Sequence, residues 1–255
     1  MKPFWLTAPI SPQYDVVVLR PFADAKRSHF ETVNDVSRYS KDLESRLLRK
    51  PKPCRTESEI LSDCRHGYYD CEKPFCPKCA RVFRRWLASR TLRLFGKRRA
   101  HVVTIFLQEV AVGALHSTDP IKLRNRLRIK LMRAGVEHSA MVGGIEAGFK
   151  ADRASWLLHS HFVVEGDMES ELRRLEVGSS TSRVPLMIQA LNEPTAQLPY
   201  MLKFHSYHRP TPSQRAYPLK PTQTKELVRW QGQYAFQDFL FLRGLRRRGP
   251  DLERL

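Results

Sequence analysis

The chain has 255 residues, with 44 Lys and Arg against 26 Asp and Glu, a formal charge of +18 and 42% hydrophobic residues. That length and apolar content suit one sizeable domain with additions, or two small ones, and exclude a wholly disordered chain. No apolar run approaches the roughly 18–20 residues of a membrane span, and the first fifteen residues lack the apolar middle of a signal peptide. The expectation is a cytoplasmic protein with no membrane partner.

The surplus charge is unevenly placed. Eight basic residues lie between Arg81 and Arg99 and six between Lys122 and Arg133, with no acid in either block. A merely solvated face mixes signs. Unmixed blocks suit a phosphate backbone, from which Lys and Arg release condensed counterions, so nucleic acid is the expected partner.

Residues 1–53 read as a polar N-terminal segment with one helix, Asn34 to Arg49, on which Val36, Tyr39, Leu43 and Leu47 share a stripe. Residues 54–99 hold all five cysteines and then an amphipathic basic helix, in which Val82, Phe83, Trp86, Leu87, Leu94 and Phe95 recur at helical spacing and Gly96 is the stop. Residues 100–208 form the central domain. Its first strand is His101–Leu107. A helix follows, with Asp119 as N-cap and Pro120 in its first turn, and it runs to Gly135. Strands at Ala140–Phe149 and Ser155–Val164 flank a hairpin loop at Lys150–Ala154. Next come a short helix from Glu169 to Leu175, a strand from Val184 to Leu191 and a helix over Thr195–His205. Residues 209–255 are a Pro-rich linker and a C-terminal basic helix carrying Leu227, Trp230, Tyr234 and Leu240. This order is compatible with an α+β fold.

Cys64, Cys71, Cys76 and Cys79 fall within sixteen residues. Disulfides are disfavoured in a cytosolic chain, whereas Cys-Pro-Lys-Cys suits two ligands of one tetrahedral zinc and the other two thiols complete its shell. Such a zinc would supply folding energy and no chemistry. Cys54 is left as a free thiol, and His66 is an alternative ligand.

The segment Trp156–Val164 contains His159 and His161. Residues two apart on a strand face the same side, so the two imidazoles project together and make half of a metal site. Centring the preceding hairpin between Asp152 and Arg153 places Glu146 opposite His159 on the same face. A slip of one residue would undo this. Glu165, of the same strand parity, is a rival ligand. Two histidines and a carboxylate with open positions suit Mg²⁺ or Mn²⁺ engaged with phosphate oxygens. Further on, Tyr200 and Lys203 are three apart and would share one helix face.

Together these residues resemble the HUH endonucleases, in particular the rolling-circle replication initiators of small plasmids and phages. Val102-Val-Thr-Ile-Phe106 is similar to the family's first motif. His159-Ser160-His161-Phe-Val-Val resembles the second, with Ser160 in place of a bulky residue. Tyr200-Met-Leu-Lys203-Phe204 resembles the third, and many such initiators carry a cysteine cluster before the first. The resemblance covers about residues 60–205. It implies an antiparallel five-stranded sheet with packed helices (HUH/RRM-like), plus an N-terminal zinc-binding insertion. It also implies a divalent cation on His159, His161 and Glu146. Tyr200 would be the nucleophile, helped by Lys203, and would join to the 5′ side of a nicked single- or hairpin-stranded origin DNA. Phe204 stands where a second tyrosine is frequent, Pro199 bears on where Tyr200 sits, and Tyr207 is a distant candidate for a second nucleophile. No GxxxxGK[ST] loop is present. A transposase of the same superfamily, a hydrolytic metal nuclease without a covalent intermediate and a non-enzymatic zinc-dependent nucleic-acid-binding regulator are the competing readings.

Overall fold

The computed structural model describes residues 32–50, 52–136, 139–175, 186–204, 207–208 and 217–255. Three helices come first: α1 (Val33–Leu48), α2 (Arg55–His66) and α3 (Pro77–Phe95). Thr32 caps α1 by accepting from the Asp35 amide while Asp35 reaches back to the Thr32 N–H, which satisfies two otherwise orphaned donors. Pro77 stands in the first turn of α3, where its missing N–H costs nothing, and Gly96 ends the helix. The cysteine region is largely helical, with Cys64 on the last turn of α2 and Cys76 and Cys79 at the start of α3.

The next elements are β1 (Ala100–Ala111), α4 (Pro120–Arg133), β2 (Met141–Lys150), β3 (Ser155–Glu165), α5 (Glu169–Arg173) and β4 (Leu186–Ala190). Asp119 caps α4 by accepting from the amides of Ile121 and Lys122. After α6 (Pro194–Gln197) and a 3₁₀ turn (Leu198–Tyr200) come β5 (Tyr207–His208), β6 (Tyr217–Pro218), α7 (Pro221–Gly232), α8 (Phe236–Phe239), β7 (Leu240–Arg243), β8 (Leu245–Arg248) and β9 (Asp251–Arg254).

Five strands make an antiparallel sheet in the order β4-β1-β3-β2-β7. The short β5 extends the free edge of β2 in parallel at Phe149, and β6 pairs with β5. The fold is α+β, with β3 in the middle. Val103, Ile105, Met141, Phe162 and Val164 bury one part of the sheet against Leu127 and Leu131 of α4. The larger core joins the rest of the sheet to α2, α3, α7 and the segment after α6.

Two sequence expectations fail. The helix over Thr195–His205 stops early: Met201 is extended and Leu202 is left-handed at φ 54°, so regular helix cannot continue through them. The C-terminal basic helix ends at Gly232. Gly244 and Gly249, both at positive φ, mark the turns that make β7, β8 and β9 strands instead.

Candidate metal centres and the Tyr200–Lys203 turn

The hairpin register pairs Glu146 with His159 and Gly144 with His161. On the other side, Thr104 of β1 pairs with His161, and Phe106 with His159. A one-residue bulge follows Phe106, where β1 re-aims beside the histidines. Directly paired residues share a face, so Glu146, His159, His161 and Thr104 project together.

One ligand atom from each of Glu146, His159 and His161 lies within 4.8 Å of the other two. His159 Nε2 is 3.8 Å from Glu146 Oε2, and the two imidazoles are set edge to face with centroids 4.7 Å apart. His159 Nδ1–H donates to the Leu157 carbonyl at 3.1 Å, which leaves a lone pair on Nε2. His161 Nδ1 is 2.6 Å from Thr104 Oγ1, so Nε2 is its remaining ligand atom. Outer partners of this kind fix ring orientation at metal sites. Glu146 is buried, and its Oε1 has no hydrogen-bond partner. A buried carboxylate oxygen without a donor is costly, and a cation would satisfy it. The donor set thus fits a divalent ion.

The electrostatics agree. Burial raises the Glu146 carboxyl above its ordinary range, opposed by His159, by the nearby backbone amides of Lys203 and Leu202 and by Arg84. Burial lowers His159, against the pull of Glu146. Burial, and then the Lys203 ammonium, lowers His161 to about 4. Both imidazoles therefore stay neutral, the ligating form, at neutral pH. The unfolded chain protonates His161 near 6.5 and the folded chain only near 4. Its contribution to stability is complete above pH 6.5 and is lost as pH falls from 6.5 towards 4. In metal-free protein, NMR titration of the His161 ring is expected to show no midpoint above pH 5.5, about one unit clear of the ordinary value.

Glu165 is not the carboxylate of this group. It receives Arg98 at 2.7 Å and both guanidinium nitrogens of Arg254, and these charges lower its pKa. Its parity places it on the same face, four residues beyond His161 and committed to two arginines.

The Tyr200–Lys203 segment reaches the site as a turn. Leu198, Met201, Leu202 and Phe204 are buried and anchor it, while Tyr200 is 49% exposed. Lys203 Nζ lies 3.6 Å from the centroid of the Tyr200 ring, a cation–π contact. The same ammonium acts on His161, so Lys203 lies between the phenol ring and that imidazole. Tyr207 lies on β5, and its side chain is outside the described residues.

Two residues that hold this turn were not foreseen. Arg84 is 2% exposed and donates to the carbonyl of Pro199, the residue before Tyr200. The sequence does carry a signal, because Arg84 falls on the buried stripe Ala80, Leu87, Ala88, Thr91 and Phe95. Gly144 is the other. A Cβ there would lie 2.0 Å from Leu202 Cδ2 and 2.7 Å from the Phe239 carbonyl oxygen. Gly144→Ala is therefore expected to cost about 1–3 kcal/mol by urea unfolding. By pushing Leu202 and Lys203 outward, it is also expected to raise the His161 midpoint, whereas a purely local strain would leave that midpoint unchanged.

The cysteines form a separate group. Sγ of Cys64 is 3.6 Å from those of Cys76 and Cys79, and Sγ of Cys71 is 3.7 Å from that of Cys79. A tetrahedral zinc with Zn–S bonds of about 2.3 Å needs S···S edges of about 3.8 Å, so the four thiols fit one structural zinc. Cys76 is the N-cap of α3 and Cys79 is in its first turn, so the helix start fixes the spacing of these two thiols. Cys54 is outside this group, buried at the start of α2 with its thiol pKa raised by burial. His66 is also outside it, bonded to the Ser62 carbonyl.

No family model, curated protein or solved structure matches the chain. No helix among the described residues is long and apolar enough to cross a membrane.

Proposed function

We propose that this chain is a metal-dependent, tyrosine-using endonuclease and strand transferase of the HUH type, which nicks and rejoins single-stranded DNA to start rolling-circle replication. The observation that carries the reading is the approach of the Tyr200–Lys203 turn to Glu146, His159 and His161, with Lys203 shared between phenol and imidazole. The unmixed basic blocks support a phosphodiester substrate.

Glu146, His159 and His161 would hold one Mg²⁺ or Mn²⁺, which when bound polarises a phosphate oxygen and offsets charge in the transition state. Tyr200 Oη attacks phosphorus in line. A phosphotyrosine ester forms to the 5′ side of the break, the bond to the 3′ oxygen breaks, and that oxygen leaves as a 3′-hydroxyl while the phenol proton passes to solvent. Lys203 holds positive charge beside the Tyr200 ring, where it would offset charge developing on the phosphate. The ester conserves the energy of the phosphodiester, so the 3′-hydroxyl can reverse the reaction without a nucleotide.

The test is incubation of the protein and Mn²⁺ with assorted single-stranded oligonucleotides, resolved on denaturing gels. A protein–DNA adduct that survives denaturation is the expected result. Cleavage without adduct would assign a hydrolytic nuclease, and binding without cleavage a regulator. Mn²⁺ is expected to support the reaction at lower concentration than Mg²⁺, since two of three donors are imidazoles.

A further inference from the structure

The last eleven residues form a β8–β9 hairpin that pairs with no strand of the main sheet. Its inner face carries Leu245 and Leu252, both buried, and Arg254 above the Phe95 ring. Its turn is tied to α3. The Pro250 carbonyl accepts from Trp86 Nε1 at 2.7 Å and from Arg90 Nε at 2.9 Å. Asp251 binds Arg90 and Arg93, each at 2.9 Å. Arg246 and Arg248 point outward, with side chains 59% and 74% exposed, and share one acid, Glu253, at 3.6 and 3.7 Å. Asp251 is already committed to α3, so the outer face keeps a net positive charge.

We propose that this hairpin is a second nucleic-acid contact, which grips the duplex stem flanking the single-stranded site through its phosphates. The partner rests on the proposed function, but the surface is a separate one. Three observations favour duplex. A two-stranded ribbon fits a major groove about 12 Å wide. The hairpin has no aromatic residue on which unpaired bases could stack. It is also fixed to the helix that holds the Tyr200 turn: Arg90 lies six residues from Arg84, about 9 Å along the axis. A stem held at the hairpin would thus sit at a set distance from the scissile strand. An anionic membrane is the weaker partner, because the outward residues of the hairpin strands are Arg and Glu with no apolar wedge among them.

The experiment uses the full chain carrying Tyr200→Phe, without added Mn²⁺, so that binding is read apart from cleavage. Affinity is measured against salt for a stem-and-tail oligonucleotide and for the tail alone. The double variant Arg246→Ala, Arg248→Ala is expected to lower the salt slope for the stem probe by about 1.8, at about 0.9 per phosphate contact, and to leave the tail probe unchanged. Glu253→Gln, which needs no loss of arginine, is expected to tighten stem binding. Equal losses on both probes, or no change on either while the parent binds, would overturn the hairpin proposal alone. Failure of the parent to bind any oligonucleotide would overturn the nucleic-acid reading and the hairpin proposal with it. Arginine-dependent binding to phosphatidylserine vesicles without a loss on the stem probe would place a membrane there instead and overturn it.

Discussion

Tyr200→Phe is expected to reduce covalent adduct by at least about 10³-fold while changing oligonucleotide affinity less than about twofold, on the usual scale for removing a nucleophile. The substitution removes one oxygen and keeps the ring on which Lys203 rests. Tyr200 is half exposed, and the turn is anchored by Leu198, Met201, Leu202 and Phe204, so the fold should change by less than about 0.5 kcal/mol. Stability and binding are thus internal controls for a purely chemical loss. Quantifying adduct at saturating Mn²⁺ decides the matter. Persistence of adduct in this variant would remove Tyr200 from the reaction and move attention to another hydroxyl.

The second large effect concerns folding. Cys76→Ser is expected to lower stability by several kcal/mol, within a total of about 5–15 kcal/mol for a domain. Cys76 is buried, begins α3 and lies 3.6 Å from Cys64. Loss of its thiolate would open the zinc shell at the point where α2 and α3 meet. The damage should then travel along α3, since its Arg84 holds Pro199 and its Arg90 and Arg93 hold the C-terminal hairpin. Thermal unfolding, with zinc per chain measured by elemental analysis, tests this. One zinc in the parent, less than one in the variant and a clear fall in Tm are expected. A zinc-free parent whose Tm is unmoved by the substitution would mean that the four thiols are merely packed together.

Much of the candidate metal site is legible in the sequence. Strand periodicity alone puts His159 and His161 on one face. The short polar loop at Lys150–Ala154 leaves few registers, and the one found pairs Glu146 with His159. The cysteine spacing likewise sufficed, because a Cys-x2-Cys step at a helix start already brings two thiols together. These are local relations, settled within a hairpin or a helical turn. The helix expected around Tyr200 was wrong for a non-local reason. Leu202 turns left-handed and buries its side chain over Gly144, a residue 58 positions earlier, and that contact outweighs helical propensity.

The sequence by itself determined the α+β order, the histidine pair, the cysteine cluster and the unmixed basic blocks, since each depends on periodicity, spacing or composition. Only the tertiary structure decided which carboxylate faces the histidines, what conformation the Tyr200–Lys203 segment takes and what the arginine-rich C-terminus becomes. Glu146 and Glu165 lie on different strands but on the same sheet face, and their neighbours separate them: Arg98 and Arg254 claim the second and leave the first facing the imidazoles. Those arginines lie 67 and 89 residues from Glu165 along the chain, and no local rule links charges so far apart.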